Sequence, residues 1–276
     1  YIMARIAPVI FGNPSSKIIV IGVTGTNGKS STVQFISQLL TELGEKVGYT
    51  TTAGFMIHGE EIENKMKMTM PGRFYLQSLL RKMVNSNCAY AILETSSEGI
   101  AQFRHLSVNY DVAVFTNLTP EHIESHGSFD EYKRAKGKLF SHLTNKSWKK
   151  ISGKRIPKIS VINADDEFSD YFTKFKADNH ILFSFKRKDV DILAKSKKEK
   201  SGAVFTIDRE KFHIPLVAEY QQKNALAAIA TVSALGFSLK QIAGVTRGLK
   251  EIKGRFEFVN MGQPFSVIID YAYEPY

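Results

Sequence analysis

The run KIIVIGVTG, residues 17–25, constrains this chain more than any other stretch. A continuous apolar, β-branched segment of that length reads as a strand buried on both faces, the kind found inside a parallel sheet. TNGKS follows without a break, and then STVQFISQLLTEL, residues 31–43, sets Val33, Ile36, Leu39, Leu40 and Leu43 at helical spacing. Gly44 closes that helix as a C-terminal cap would. A glycine loop between a buried strand and an amphipathic helix is the context in which backbone N–H groups at a helix N-terminus cradle phosphate oxygens. The loop ends in Gly28-Lys29-Ser30, as a P-loop does, but Val23 stands where the first glycine of G-x-x-x-x-G-K-[ST] would fall. The loop is therefore shorter than the generic pattern demands.

The rest of the chain repeats the alternation. Short apolar runs YAILET, VAVFTNL, ISVINADD and HILFSF read as buried strands. FYLQSLLRKMV, DEYKRAKGKLFSHL, QQKNALAAIATVSAL and LKQIAGVTRGL read as helices. KVGYTTT with GFMIHGEEI, AVFTID with KFHIPL, and FEFVNM with FSVIID supply further short strands, some of them as antiparallel pairs. The expected fold class is α/β: a mostly parallel sheet with helices on both faces, a P-loop, and a small antiparallel subregion.

Composition narrows the function classes. A net charge of +10 invites nucleic acid. Much of the excess, however, lies in two lysine-rich stretches, residues 145–158 and 186–200, that show no aromatic stacking pattern and read as solvated loops or helix faces. Anionic nucleotides or small substrates fit better than nucleic acid. Cys88 is the single cysteine, which excludes an intramolecular disulfide framework and points to the cytoplasm. The leading YIMARIAPVIF is too short to span a bilayer, at about 20 residues per span, so no stable membrane insertion is expected. The expected organisation is an N-terminal stump or linker over 1–16, a central ATP-binding domain over 17–250, and the start of a truncated further domain over 251–276.

In open α/β sheets ligands bind beyond the carboxyl ends of the strands, which makes the loops after strands the places to search. The first holds Gly25, Thr26, Asn27, Gly28, Lys29, Ser30 and Ser31. Lys29 offers a charge for β/γ-phosphates, and Ser30 a hydroxyl for Mg²⁺. The second, ETSSEGIAQFRH, opens on Glu94, a carboxylate placed to hold Mg²⁺ or else to face solvent at a strand end. Ser96, Ser97, Gln102 and Arg104 bring donors suited to anionic or carbohydrate-like groups. The third carries His122 and His126, four apart, but Pro120 and Gly127 argue against a helical zinc pair. One histidine suits a hard cation and the other packing or hydrogen bonding.

GTNGKS, ETSS, FTNLTPEHIESHGSFDEYKRAKGKLF, INADDE, NALAA, GRFE and DYAYEP occur here in one order, and in that order they resemble the Mur ligases. The resemblance runs over nearly all of residues 17–275, and within the family it points to the UDP-N-acetylmuramoyl-tripeptide synthetases of peptidoglycan precursor synthesis. It implies an ATP-dependent ligase that phosphorylates a carboxylate of a UDP-muramoyl-peptide to an acyl phosphate, from which an amino acid's amine displaces phosphate to form an amide. It further implies Ser30 and Glu94 on one Mg²⁺, and Glu94, His122 and a carbamylated Lys136 on a second. Without the resemblance, Lys136 is a solvated helix lysine. Thr69, Ser96, Gln102 and Arg104 match substrate-contacting positions, and Asn224, Arg255 and Asp270 match nucleotide-contacting ones.

The pattern departs from the family at Glu98, Met70, Gln221 and Tyr273-Glu274, which replace histidine, threonine, asparagine and His-Thr. The family's N-terminal uridine-binding domain and most of its C-terminal amino-acid-binding domain have no counterpart, so negligible ligase turnover is expected of this polypeptide alone. Two other readings stand beside the first. One is a folylpolyglutamate-type synthetase, against which TMPG stands where an S-P-H-L-type segment would be. The other is a non-catalytic nucleotide-binding domain.

Overall fold

The computed structural model describes residues 2–120, 126–145, 148–259 and 261–270. Its centre is an 11-stranded sheet in the order β13-β12-β11-β10-β9-β6-β1-β5-β2-β3-β4. The strands, in chain order, are β1 Ile19–Thr24, β2 Val47–Thr50, β3 Gly54–Ile57, β4 Glu60–Glu63, β5 Tyr90–Glu94, β6 Val112–Phe115, β9 Ile159–Asn163, β10 Asn179–Ser184, β11 Ile192–Glu199, β12 Gly202–Ile207 and β13 Glu210–Ile214. The seven strands from β2 to β11 in sheet order pair parallel; β3 and β4 at one edge, and β12 and β13 at the other, pair antiparallel. Two small hairpins stand apart, β7 Lys150–Ile151 with β8 Lys154–Arg155 and β14 Glu257–Val259 with β15 Val267–Ile269. The expected fold class is what the chain adopts.

Helices cover both faces, which is why the central strands have no polar side. Ile21 and Val23 of β1 point into one core with α2 (Lys29–Glu42), α7 (Glu219–Ala234) and α8 (Leu239–Val245). Val20 points into the other core, with α3 (Arg73–Asn85), α4 (Ser97–Ala101), α5 (Phe129–Asn145) and α6 (Ser169–Thr173). A period-2 strand between two apolar layers needs apolar residues at every position. Gly22 belongs to this packing, because a Cβ there would lie 2.8 Å from the Tyr110 ring. Gly44 ends α2 in a Schellman motif: its N–H bonds the Thr41 carbonyl at 2.9 Å and that of Glu45 the Leu40 carbonyl at 2.9 Å, with φ +91° at the glycine.

Residues 2–10, expected as part of a stump or linker, form helix α1 (Ile2–Ile10), which buries Ala4 and Ala7 and packs against α3. Among the described residues no helix is long and apolar enough to cross a membrane.

The two lysine-rich stretches are not the loops or helix faces their composition suggests. Residues 192–199 are strand β11, which pairs with β10 only at Ile192 and Leu193 and then runs out as an antiparallel arm with β12. Lys195, Lys197, Lys198 and Glu199 are exposed on that arm, so the charge run hid a strand. In the other stretch Lys149 and Lys158 are buried, at 4% and 0% exposure. Both reach Asp111, itself 0% exposed, at 2.5 and 3.1 Å. Asp111 also accepts the Val20 N–H at 2.8 Å, and Lys149 donates to the carbonyls of Ser15 and Ile18 at 2.6 and 2.8 Å. Lys158 adds Asn109 Oδ1 at 2.8 Å and the Tyr110 carbonyl. This cluster ties the amino ends of β1, β6 and β9 together. Burial pulls the Lys149 pKa down to about 8 although Asp111 pulls it up.

One carboxylate here serves two buried ammonium groups, and removing one partner of such a cluster leaves buried charge uncompensated. Asp111→Ala is expected to lower unfolding free energy in urea by about 3–5 kcal/mol. A loss below about 1 kcal/mol, the range of an exposed pair, would contradict the staple.

Candidate functional site

Three loops reach one level because β5, β1 and β6 are adjacent and parallel, with Val23 opposite Glu94 and Thr24 opposite Phe115. The first loop leads into α2, whose N-cap is Gly28 at φ +79°, with no side-chain cap and no acidic residue in the first turn. Its N-terminal N–H groups and the positive end of its dipole thus face the loop. Neighbours fix the loop backbone. Asn27 N–H donates to Asn117 Oδ1 at 2.8 Å, and Asn117 Nδ2 returns a bond to the Asn27 carbonyl at 3.0 Å. Thr116 Oγ1 reaches the same carbonyl at 2.8 Å, and Tyr132 O–H donates to Thr26 Oγ1 at 3.1 Å. Glycine is required by close approach: a Cβ on Gly25 would lie 1.9 Å from Thr116 Oγ1, and one on Gly28 2.1 Å from Asn224 Oδ1.

Glu94 is not a solvent-facing strand end. It is 2% exposed and accepts three bonds on Oε2: from Ser30 Oγ at 2.8 Å, Thr52 N–H at 2.8 Å and Thr52 Oγ1 at 3.3 Å. Lys136 is not solvated either. At 1% exposure on α5, it donates from Nζ to the Gly25 carbonyl at 2.7 Å, with Nζ 4.2 Å from the centroid of the Tyr132 ring. Burial, followed by the nearby Lys29 charge, pushes its pKa well below the usual lysine range. Lys29 itself donates to the Thr26 carbonyl at 2.6 Å.

These groups share a cavity of about 530 Å³. Thr26, Asn27, Gly28, Lys29, Ser30 and Ser31 line it with Glu94 and Lys136, and Asn224, Arg255 and Asp270 line it from the α7 side. Thr69 and Ser96 complete the wall opposite. Gly25 stands behind it, holding Lys136 through its carbonyl. Gln102 and Arg104 lie beside the cavity rather than in its lining: Arg104 donates to Gln102 Oε1 at 2.5 Å and to the Met70 carbonyl. His122 lies outside the described residues. His126 makes a hydrogen bond, between Nε2 and Ser97 Oγ at 3.1 Å.

A second cavity, of about 620 Å³, adjoins the first and shares Asn27, Asn117, Tyr220, Lys223 and Asn224 with it. Phe183 and Phe185 give it apolar walls, and Asn163 and Asp165 polar ones.

The site contains residues that the sequence marked only as departures from a pattern or did not single out. Met70, which stands where a threonine would extend the pair with Thr69, is 2% exposed and packs against α4 at Gly99. The second hydroxyl comes instead from Thr52, whose Oγ1 lies 2.8 Å from Thr69 Oγ1. Gln221, which stands in place of an asparagine, donates to the Arg255 carbonyl at 2.6 Å. Tyr220 O–H donates to Asp270 Oδ2 at 2.7 Å; burial first, and the Asp270 carboxylate second, raise its pKa. A threonine just past the β2 strand run, and an asparagine just past β6, were the only sequence signals for Thr52 and Asn117.

Residues 23–232 match the Mur ligase middle domain. The chain belongs to the Mur ligase family. It is 37% identical over 278 residues to a UDP-N-acetylmuramoyl-L-alanyl-D-glutamate–2,6-diaminopimelate ligase of Geobacillus thermodenitrificans, covering 99% of this chain and 55% of that protein. It is 34% identical over 290 residues to a UDP-N-acetylmuramyl-tripeptide synthetase of Treponema denticola, covering 99% of this chain and 54% of that one. A solved structure of a UDP-N-acetylmuramoyl-L-alanyl-D-glutamate–2,6-diaminopimelate ligase superposes with a TM-score of 0.79 at 23% identity, over 94% of this chain and 53% of that chain. This Mur ligase chain thus spans about half the length of the curated relatives it matches.

Within the Mur ligase site, the paired bonds between Asn117 and Asn27 hold the glycine loop to the loop after β6. Asn117→Ala removes both. Faster amide hydrogen exchange at Asn27 is expected, with a stability loss of about 1 kcal/mol; unchanged exchange at Asn27 would show that the loop is fixed by other contacts.

Proposed function

We propose that this chain is the ATP-binding part of an ATP-dependent acid–amino-acid ligase of peptidoglycan precursor synthesis, acting in the cytoplasm on a UDP-muramoyl-peptide and an amino acid. In that reading residues 17–250 are the central ATP-binding domain and 251–276 begin the next one. The observation that carries it is the convergence, in one cavity, of an uncapped helix N-terminus, the Ser30–Glu94 pair and the buried Lys136. The identity of 34–37% over nearly the whole chain to muramoyl-peptide ligases supports that substrate class over a folate.

The donor set supports the cofactors. Ser30 Oγ and Glu94 Oε2, 2.8 Å apart, are hard oxygen donors of the kind Mg²⁺ takes. Lys136 as it stands donates to a carbonyl and offers a cation nothing. Its burial favours the neutral amine, the form that adds to carbon dioxide, and a carbamate there would supply anionic oxygens to the cavity that Glu94 also lines. ATP with Mg²⁺ supplies, when bound, the phosphoryl group that activates a substrate carboxylate for attack by an amine.

The chain's own residues hold and shield that chemistry. The N–H groups of Gly28, Lys29 and Ser30 and the Lys29 ammonium receive phosphate oxygens and offset repulsion between an incoming carboxylate and the γ-phosphate. Asn224 touches the loop at Gly28 and opens onto the second cavity, whose Phe183 and Phe185 suit a planar base. Arg255 and Asp270 close over the nucleotide side of the cavity. Thr69 and Ser96, with Gln102 and Arg104 beside the cavity, receive the peptide substrate.

The test is ADP release by the full-length protein with UDP-muramoyl-dipeptide and a panel of amino acids, set against folates with glutamate. Turnover is expected on the muramoyl substrate with one amino acid preferred, and Lys29→Ala is expected to lower it by about 100-fold or more. Turnover on folates alone would overturn the muramoyl reading, and an unaffected Lys29→Ala variant would overturn the assignment of the loop.

A further inference from the structure

Next to the cavity, two arginines stand together without an acid. Arg73 is the first residue of α3; its N-cap, Gly72, makes no side-chain cap, and the first turn holds no acidic residue. A cation at that end opposes the helix dipole, so helix stability does not explain it. Arg73 Nη2 donates to the backbone carbonyl of Gln102, and Arg104 Nη2 donates to the side-chain oxygen of the same Gln102. Both guanidinium forks therefore converge on one residue. Arg73 Nε is buried with no hydrogen-bond partner, the one guanidinium atom among the described residues in that condition. Among the described residues neither arginine has a carboxylate within ion-pair distance. Burial, and then the Arg73 charge, hold Arg104 below the ordinary arginine range, while Glu98 at longer reach offsets part of this.

We propose that Arg73 is a further, specificity-determining contact for an oxyanion of the acceptor substrate, making a two-guanidinium clamp with Arg104, to which the ligase reading already gives a substrate contact and on which the identity of that substrate rests. Two like charges held side by side beside a buried, unpaired donor are a costly arrangement that an incoming anion relieves. Planar forks suit a carboxylate or a phosphate, which either end of a UDP-muramoyl-peptide provides. The placement fits as well. Ser96 and Ser97 line the cavity at the start of α4, and Gln102 caps its far end, so the clamp stands one short helix away. Five residues of helix rise about 8 Å, a separation that one peptide-sized molecule bridges while a different carboxylate lies at Glu94 and Ser30.

Steady-state kinetics of the full-length protein and its Arg73→Gln variant test this. Arg73→Gln is expected to raise KM for UDP-muramoyl-dipeptide about 10- to 100-fold, with kcat and the KM for ATP unchanged. Arg73→Lys, which keeps charge but not the fork, is expected to recover part of the loss. Two analogues name the source of the anion. If the clamp holds the peptide carboxylate, the substitution has no effect on a substrate with that carboxylate amidated; if it holds the diphosphate, it has none on muramoyl-dipeptide lacking the nucleotide. An unchanged KM for the parent substrate, or a rise in every KM including that for ATP, would overturn the clamp. If the unsubstituted protein does not turn over the dipeptide at all, the ligase reading fails and the clamp is judged by Tm against glutarate concentration. A rise that Arg73→Gln abolishes supports it; no rise, or an equal rise in both proteins, overturns it.

Discussion

The parallel register of β5, β1 and β6 is the constraint on which the rest of this molecule depends. Ser30 and Glu94 are 64 residues apart, and they meet at 2.8 Å only because Val23 lies opposite Glu94 across two adjacent strands. A slip of one residue would exchange the two faces of every strand, sending Ile21 and Val23 into the wrong core and turning Glu94 away from the loop. Two-sided burial of β1 makes that slip expensive, and Asp111 locks the other end of the same three strands with Lys149 and Lys158. The two ends of the sheet thus differ: charge is paired at the amino ends of the strands, and the cavity opens at their carboxyl ends.

That open end is organised around positive potential. The α2 N-terminus and Lys29 share the cavity with Glu94, and the Thr26 carbonyl accepts from the Lys29 ammonium, while Lys136, which burial drives towards the neutral amine, donates to the Gly25 carbonyl. Burying the Lys136 amine in this way costs folding stability.

Part of this was legible from sequence and part was not, for physical reasons. The buried β1 run, the glycine loop and the α2 periodicity carried the fold and the loop that lines the cavity, because period and glycine placement are local. Glu94 was legible as a carboxylate at the end of a strand. Lys136, Asn224 and Arg255 were found only by resemblance, since a helix lysine or asparagine carries no local mark of what lies across from it. Thr52, Asn117, Tyr132 and Tyr220 went unread because their roles exist only through contacts 17 to 106 residues away. Lysine misled twice: Lys195 to Lys198 disguised strand β11, whose outer arm needs no apolar side, and Lys149 and Lys158 passed for surface residues because burial of a lysine is set by a distant carboxylate.

The Ser30–Glu94 pair is the point where fold and chemistry meet, and calorimetric titration of ATP with and without Mg²⁺ tests it directly. Tighter binding with Mg²⁺ than with EDTA is expected, together with loss of that increment in Ser30→Ala. Equal affinity in the two conditions, or an increment that survives Ser30→Ala, would contradict a cation held between this hydroxyl and Glu94.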